Sequence, residues 1–224
     1  MLSMQTDEFL EAIRKGNLQK INQLLDTTPI LANSKAKNGV SAILLALYHG
    51  HQDIAQTVAA KKHELDIFEA SVLGKLEQVK NLVDNDPSIA NSYSPDGFTP
   101  VALAAYLGQK DVTEYLILKG ADVNAIAKNA TGFTALTGAI ANNHAEIAKT
   151  LVKKGGANVN HRYEGGVSPL MEASMNGNVE LVNFLLESGA DPSAKTKDGK
   201  TPISFAREKN HANVVEVLKA QGAL

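Results

Sequence analysis

Three short segments carry residue types that could do chemistry, and each fails at a position its chemistry requires. Gly199-Lys200-Thr201 has the ending of a phosphate-binding loop, in which backbone N–H groups cradle phosphates and the lysine neutralises them. That loop needs a glycine five residues earlier, where Ala194 stands. Gly166-Val167-Ser168 begins a nucleophile elbow, but Leu170 occupies the place of its closing glycine, so Ser168 is better read as a helix cap. His63-Glu64 begins a zinc-protease helix that Ile67 leaves without its second histidine, and no carboxylate at ligand spacing joins His49 and His51. The residues therefore point to no enzyme, no catalytic group, no cofactor and no metal.

Composition narrows the alternatives further. The 224 residues are 44% hydrophobic and 21% charged with a net charge of −2, ordinary for a folded chain with a continuous core. Such a balance disfavours nucleic acid as a partner, since phosphate backbones are met by a basic patch. Cysteine is absent, which removes disulfides and thiolate chemistry and fits a reducing compartment. The longest apolar run, Ala42 to Tyr48, is far below the roughly 20 residues that cross a bilayer. Met1 to Leu10 contains Asp7 and Glu8 and has no basic-then-apolar leader pattern, so a cytoplasmic protein without membrane association is expected.

The elements that would position any functional surface repeat. Ala12, Ala46, Ala70, Ala104, Ala139, Ala173 and Ala206 follow one another at steps of 34, 24, 34, 35, 34 and 33 residues. A period near 33 means that each unit buries its apolar face only against its neighbours. Registered on these alanines, Ser41, Thr99, Thr134, Ser168 and Thr201 form a column of helix N-caps. Pro100, Pro169 and Pro202 follow at the first helical position, where a missing N–H costs nothing. Gly16, Gly50, Gly74, Gly108 and Gly177, with Asn143 and Asn210, close that helix four residues after the alanine. A second helix follows, with apolar residues at three- and four-residue spacing as in Leu76/Val79/Leu82/Val83, then a polar turn such as Gly120-Ala121-Asp122-Val123-Asn124.

These residues resemble the ankyrin repeat, most closely at Asp96-Gly97-Phe98-Thr99-Pro100 with Ala104-Ala105 and Gly108, and at Asp198-Gly199-Lys200-Thr201-Pro202. The resemblance covers Asp7 to Leu224 and implies an all-α solenoid of helix-turn-helix repeats with projecting β-turn fingers. As one domain over 1–224 it divides into approximate repeats 5–37, 38–66, 67–95, 96–130, 131–164, 165–197 and 198–224. The first and last repeats carry polar residues suited to end caps, and the last stops at Ala223-Leu224 before any finger. The histidine usual after Pro-Leu is replaced by Leu44, Ala102, Thr137, Met171 and Ser204, while His51, His144 and His211 share another column and suit a recurring loop hydrogen bond. The 24-residue step removes the finger between the second and third repeats and leaves Lys61 to Asp66 as a bridge. Residues 9–50 pair with 67–108 at an offset of 58, as in Pro29/Pro87 and Gly39/Gly97, so the bridge is the seam of a duplication.

What the resemblance implies about function is positional. Such arrays engage partner proteins through the fingers and the exposed side of the first helices, a concave strip without a fixed motif. Here that strip holds Tyr48, His49, Tyr93, Phe98, Tyr106, Leu107, Phe133, Asn142, Tyr163, Met175 and Asn176. Tyrosine is common raw material for interface hot spots. The fingers also carry Lys35, Lys37, Lys128, Arg162, Lys195, Lys197 and Lys200 against Asp96, Glu164 and Asp198, which suits a partner with an acidic segment. The expected function is that of a monomeric interaction module or scaffold centred on Ser92 to Asn178. Its alternatives are an inhibitory or protective subunit of a specific enzyme and, more remotely, a cryptic enzyme or small-molecule binder.

Overall fold

Fourteen α-helices in seven pairs make up the computed structural model, which describes residues 2–222. The expected chain end at Ala223 and Leu224 lies outside the described residues. The pairs are α1 (Leu2–Arg14) with α2 (Leu18–Thr27), α3 (Ala42–Tyr48) with α4 (Gln52–Ala60), and α5 (Ile67–Val72) with α6 (Leu76–Asn85). Then come α7 (Pro100–Tyr106) with α8 (Lys110–Leu118), α9 (Ala135–Ala141) with α10 (Ala145–Gly155), α11 (Pro169–Met175) with α12 (Val179–Glu187), and α13 (Pro202–Glu208) with α14 (Ala212–Ala220). Odd-numbered helices pack in one row and even-numbered helices in a second. Among the described residues there is no strand, only an isolated antiparallel bridge between Lys35 and Ser41.

The hydroxyl column builds the helix starts. The side chains of Ser41, Thr99, Thr134, Ser168 and Thr201 each accept from the backbone N–H three residues on, satisfying a donor the helix cannot. At the other end, Asn143 and Asn210 take φ of 58° and 61°, the left-handed conformation that glycine supplies in the other repeats. The alanine column is buried throughout, with Ala46, Ala70, Ala104, Ala139, Ala173 and Ala206 all at 0% exposure. Larger groups cannot stand where neighbouring helices of the row approach this closely.

One loop column ties three of the repeats to the one before. His51 Nε2 lies 3.4 Å from the Arg14 carbonyl, His211 Nε2 lies 3.0 Å from that of Met175, and Gln109 Nε2 donates to Val72 at 2.9 Å. These are structural hydrogen bonds, as expected for His51 and His211, whereas the His144 ring only packs beside Gly108. A second ladder runs through asparagines. Asn91, Asn124 and Asn160 each donate to the carbonyl of the next repeat's glycine and accept from an N–H two residues beyond it.

The seam is closed by charge in place of a finger. The N-cap moves one residue along to Asp66, which forms a capping box with Glu69. Lys62 Nζ reaches both Glu69 oxygens, at 2.7 and 2.8 Å, and the Glu69 side chain is 1% exposed. The hydrophobic core divides here into two clusters, with Leu65 and Phe68 packed against both. Without an intervening finger, Gly39 comes against Pro95, so close that a Cβ on Gly39 would lie 2.8 Å from the proline ring.

Lys62→Met should lower the unfolding free energy by about 3–5 kcal/mol, because it strands a buried carboxylate, and adding Glu69→Leu should restore much of it. Ala104→Leu should cost about 1–3 kcal/mol by overpacking the first-helix row. Urea denaturation of the single and double variants measures both effects.

Candidate functional site

The finger ends deliver aromatic side chains onto the first-helix row. Gly97 and Gly132 adopt φ of 88° and 67°, turning each finger back so that the Phe98 carbonyl accepts from Ser94 N–H at 2.9 Å and that of Phe133 from Ala127 N–H at 2.8 Å. Lys128 N–H donates to the Gly97 carbonyl at 2.7 Å and joins the two fingers edge to edge. A Cβ on Gly97 would lie 2.8 Å from the Lys128 carbonyl carbon, so this junction admits only glycine.

Between these fingers and the helices lies a cavity of about 300 Å³, walled by Tyr48, Phe98, Tyr106 and Phe133. Ala102, Leu103, Thr131, Thr134 and Gly138 complete its lining. Gly138 opens the floor. It stands one residue before the alanine column, where the other repeats place Glu11, Leu45, Glu69, Leu103, Glu172 and Phe205. Tyr48 reaches the cavity from two repeats away across the seam. In the third repeat its column holds Val72, which is buried at 1% exposure, and α5 is shorter than α3 and α7.

Two carboxylates are held at the flanks by tyrosines. Tyr48 Oη donates to Asp96 Oδ2 at 2.6 Å, while Ser94 Oγ donates to the other oxygen at 2.6 Å. Burial, and then the Asp96 carboxylate, hold the Tyr48 phenol well above its ordinary pKa. On the far side, Phe133 meets Tyr163 edge to face at 4.9 Å, and Tyr163 donates to Glu172. Burial followed by the Glu172 carboxylate raises that phenol as well.

The structure gathers part of the expected strip and disperses the rest. Tyr48, Phe98, Tyr106 and Phe133 share the cavity, with Tyr163 packed on its wall. Tyr93 points elsewhere, bonding to the Ile126 carbonyl with its ring 3.9 Å beneath Lys128 Nζ. Leu107 packs against the N-terminal core. His49 stacks on His51 at 6.3 Å, Asn142 donates to the Gly138 carbonyl, and Asn176 donates to that of Ile140, so these three serve helix ends and loops. Met175 is half-buried at the end of α11. Gly138 and Glu172 escaped the sequence reading, which took Asp96 only as a finger charge. Only Gly138 has a signal there, as the sole glycine in its column.

Three finger cations are engaged within the chain. Lys128 lies over Tyr93, Arg162 donates to the Lys195 carbonyl, and Lys200 pairs with Glu208 at 2.9 Å. Among the described residues no three His, Asp or Glu side chains gather as a metal site requires, and no helix is long and apolar enough to cross a membrane.

Two family models match the chain, one described as ankyrin repeats (3 copies) over residues 67–163 and one as ankyrin repeats (many copies) over 151–206. The chain is similar to ankyrin repeat and SAM domain-containing protein 6 of Rattus norvegicus, at 31% identity over 74% of this chain and 16% of that protein. It is also similar to the target of rapamycin complex 2 subunit AVO2 of Saccharomyces cerevisiae, at 28% identity over 72% of this chain and 38% of that one. A third relative is alpha-latrocrustotoxin-Lt1a of Latrodectus tredecimguttatus, at 34% identity over 62% of this chain and 10% of the toxin. The chain spans well under half the length of each of these relatives.

Gly138 has no positive φ, and an added Cβ would meet Tyr106 at an ordinary 3.5 Å. Gly138→Ala should therefore stabilise the protein by about 0.5–1 kcal/mol, the usual gain at a helix-interior glycine. Gly177→Ala should destabilise it, because φ is +71° and the new Cβ would lie 2.5 Å from His211. Opposite shifts of the two urea midpoints are the expected result.

Proposed function

Because the chain belongs to the ankyrin repeat family, a family of protein-interaction modules, we propose that it is a non-enzymatic module that holds a partner protein on the face built by the fingers and the first-helix row. The observation that carries this reading is the aromatic-walled cavity on that face. Interface energy concentrates where a large side chain of one partner fills a desolvated pocket of the other. Tyr106 and Phe133 would form its centre, with Tyr48 and Tyr163 at the edges.

The rim suits a partner as well. Lys35, Lys37, Lys195 and Lys197 make no ion pair among the described residues and could meet acidic groups at the finger tips. The yeast relative is by its name a subunit of a larger complex, and a role in assembling one is part of the same proposal for this chain. We place the module in the cytoplasm as a monomer, in keeping with a chain free of cysteine.

Affinity capture from a lysate of the source organism tests the reading. Gly138→Leu, which fills the cavity, and Tyr106→Ala, which removes a wall, should each abolish recovery of the partner with far-UV circular dichroism unchanged. Leu118→Ser, at an 80% exposed residue on α8, should leave recovery intact. Loss with Leu118→Ser alone would move the site to the second-helix row.

A further inference from the structure

We infer that the cavity receives a cationic side chain of the partner, its charged head held against the aromatic walls beside Tyr48, the donor to Asp96. The inference rests on the reading of this face as a partner-binding surface and adds the chemistry of what enters it. Four aromatic side chains line one opening of about 300 Å³. Aromatic faces attract ammonium and guanidinium groups, most strongly where water is excluded.

Two further observations separate a cationic occupant from a merely apolar one. Asp96 stands behind the lining residue Tyr48, and Glu172 behind Tyr163, which packs on Phe133; neither carboxylate lines the cavity itself, and among the described residues neither is paired with a lysine, arginine or histidine. Asp96 is also fixed in place. Its carboxylate accepts from Tyr48 and Ser94, and its backbone carbonyl accepts from Asn129 Nδ2 at 2.8 Å. Because the phenol of the lining residue Tyr48 donates to a carboxylate, electron density on its ring is increased where a cation would bind. The chain itself already uses such a contact one finger edge away, where Lys128 Nζ lies 3.9 Å above the Tyr93 ring.

A matched pair of probes tests charge against shape. Choline and 3,3-dimethylbutan-1-ol have the same outline and differ in a quaternary nitrogen replacing a carbon. Each is titrated into the full isotope-labelled chain at fixed ionic strength and followed by amide NMR. Choline should shift the Gly138, Thr131 and Phe133 amides saturably, with a dissociation constant at least about fivefold below that of the alcohol. Gly138→Leu should abolish these shifts, and Asp96→Asn should weaken choline several-fold while leaving the alcohol unchanged. Blocked Gly-X-Gly peptides with X as lysine, trimethyl-lysine, arginine or norleucine then identify the side chain by which binds tightest.

Equal binding of the alcohol, or of norleucine, overturns the cationic occupant while leaving an apolar protein-binding pocket. Shifts that persist in Gly138→Leu overturn the site. Absence of shifts with every probe also overturns the inference, and the capture experiment then decides independently whether the face binds protein.

Discussion

An alanine methyl sets the spacing of the first-helix row, and the positions of the fingers and of the cavity follow from that spacing. Where two helices approach closely enough to bury Ala104 and Ala139 completely, the loops that enter them must lie side by side. Finger backbones can then bond directly, as Lys128 does to Gly97 and Lys197 to Gly165. The same closeness lets an asparagine in one turn satisfy both backbone groups of the next. Each repeat is thereby completed by its neighbour, the physical meaning of a quasi-one-dimensional fold.

The seam reveals what the array needs when that pattern is broken. Its lost finger would have supplied backbone partners and a hydroxyl cap. In their place stand the Asp66 capping box and a buried ion pair between Lys62 and Glu69. A buried pair gains little over an apolar contact of equal volume, but neither member can be removed alone. The substitution has a consequence at a distance. With a short α5 and a buried Val72, Tyr48 from the second repeat extends to meet the fourth, and an aromatic wall is added to the cavity.

Charge and aromatic surface act together on the candidate face. Tyr48, which lines it, and Tyr163, packed on its wall, are also donors to Asp96 and Glu172, so their positions are constrained by hydrogen bonds as well as packing. A rigid aromatic wall loses little entropy on binding, one reason such residues dominate interface energetics. Gly138 serves the same surface by omission, since any of the side chains found in its column elsewhere would occupy the opening.

The sequence by itself determined the repeat, its caps, its turn residues and the missing finger. Each of these depends on local backbone geometry: a hydroxyl three residues from an orphan N–H, a glycine or asparagine at positive φ, apolar residues at helical spacing. It also located a face rich in tyrosine. Which of those residues meet was decided only by the tertiary structure, because their partners lie far along the chain. Tyr48 finds Asp96 and Tyr106, whereas Tyr93 turns to Ile126 and Leu107 packs against the N-terminal core. Neighbours in sequence thus serve different surfaces, and residues separated by a whole repeat form one cavity. Helical spacing fixes where a side chain leaves the backbone, but the packing of non-adjacent repeats fixes what it touches.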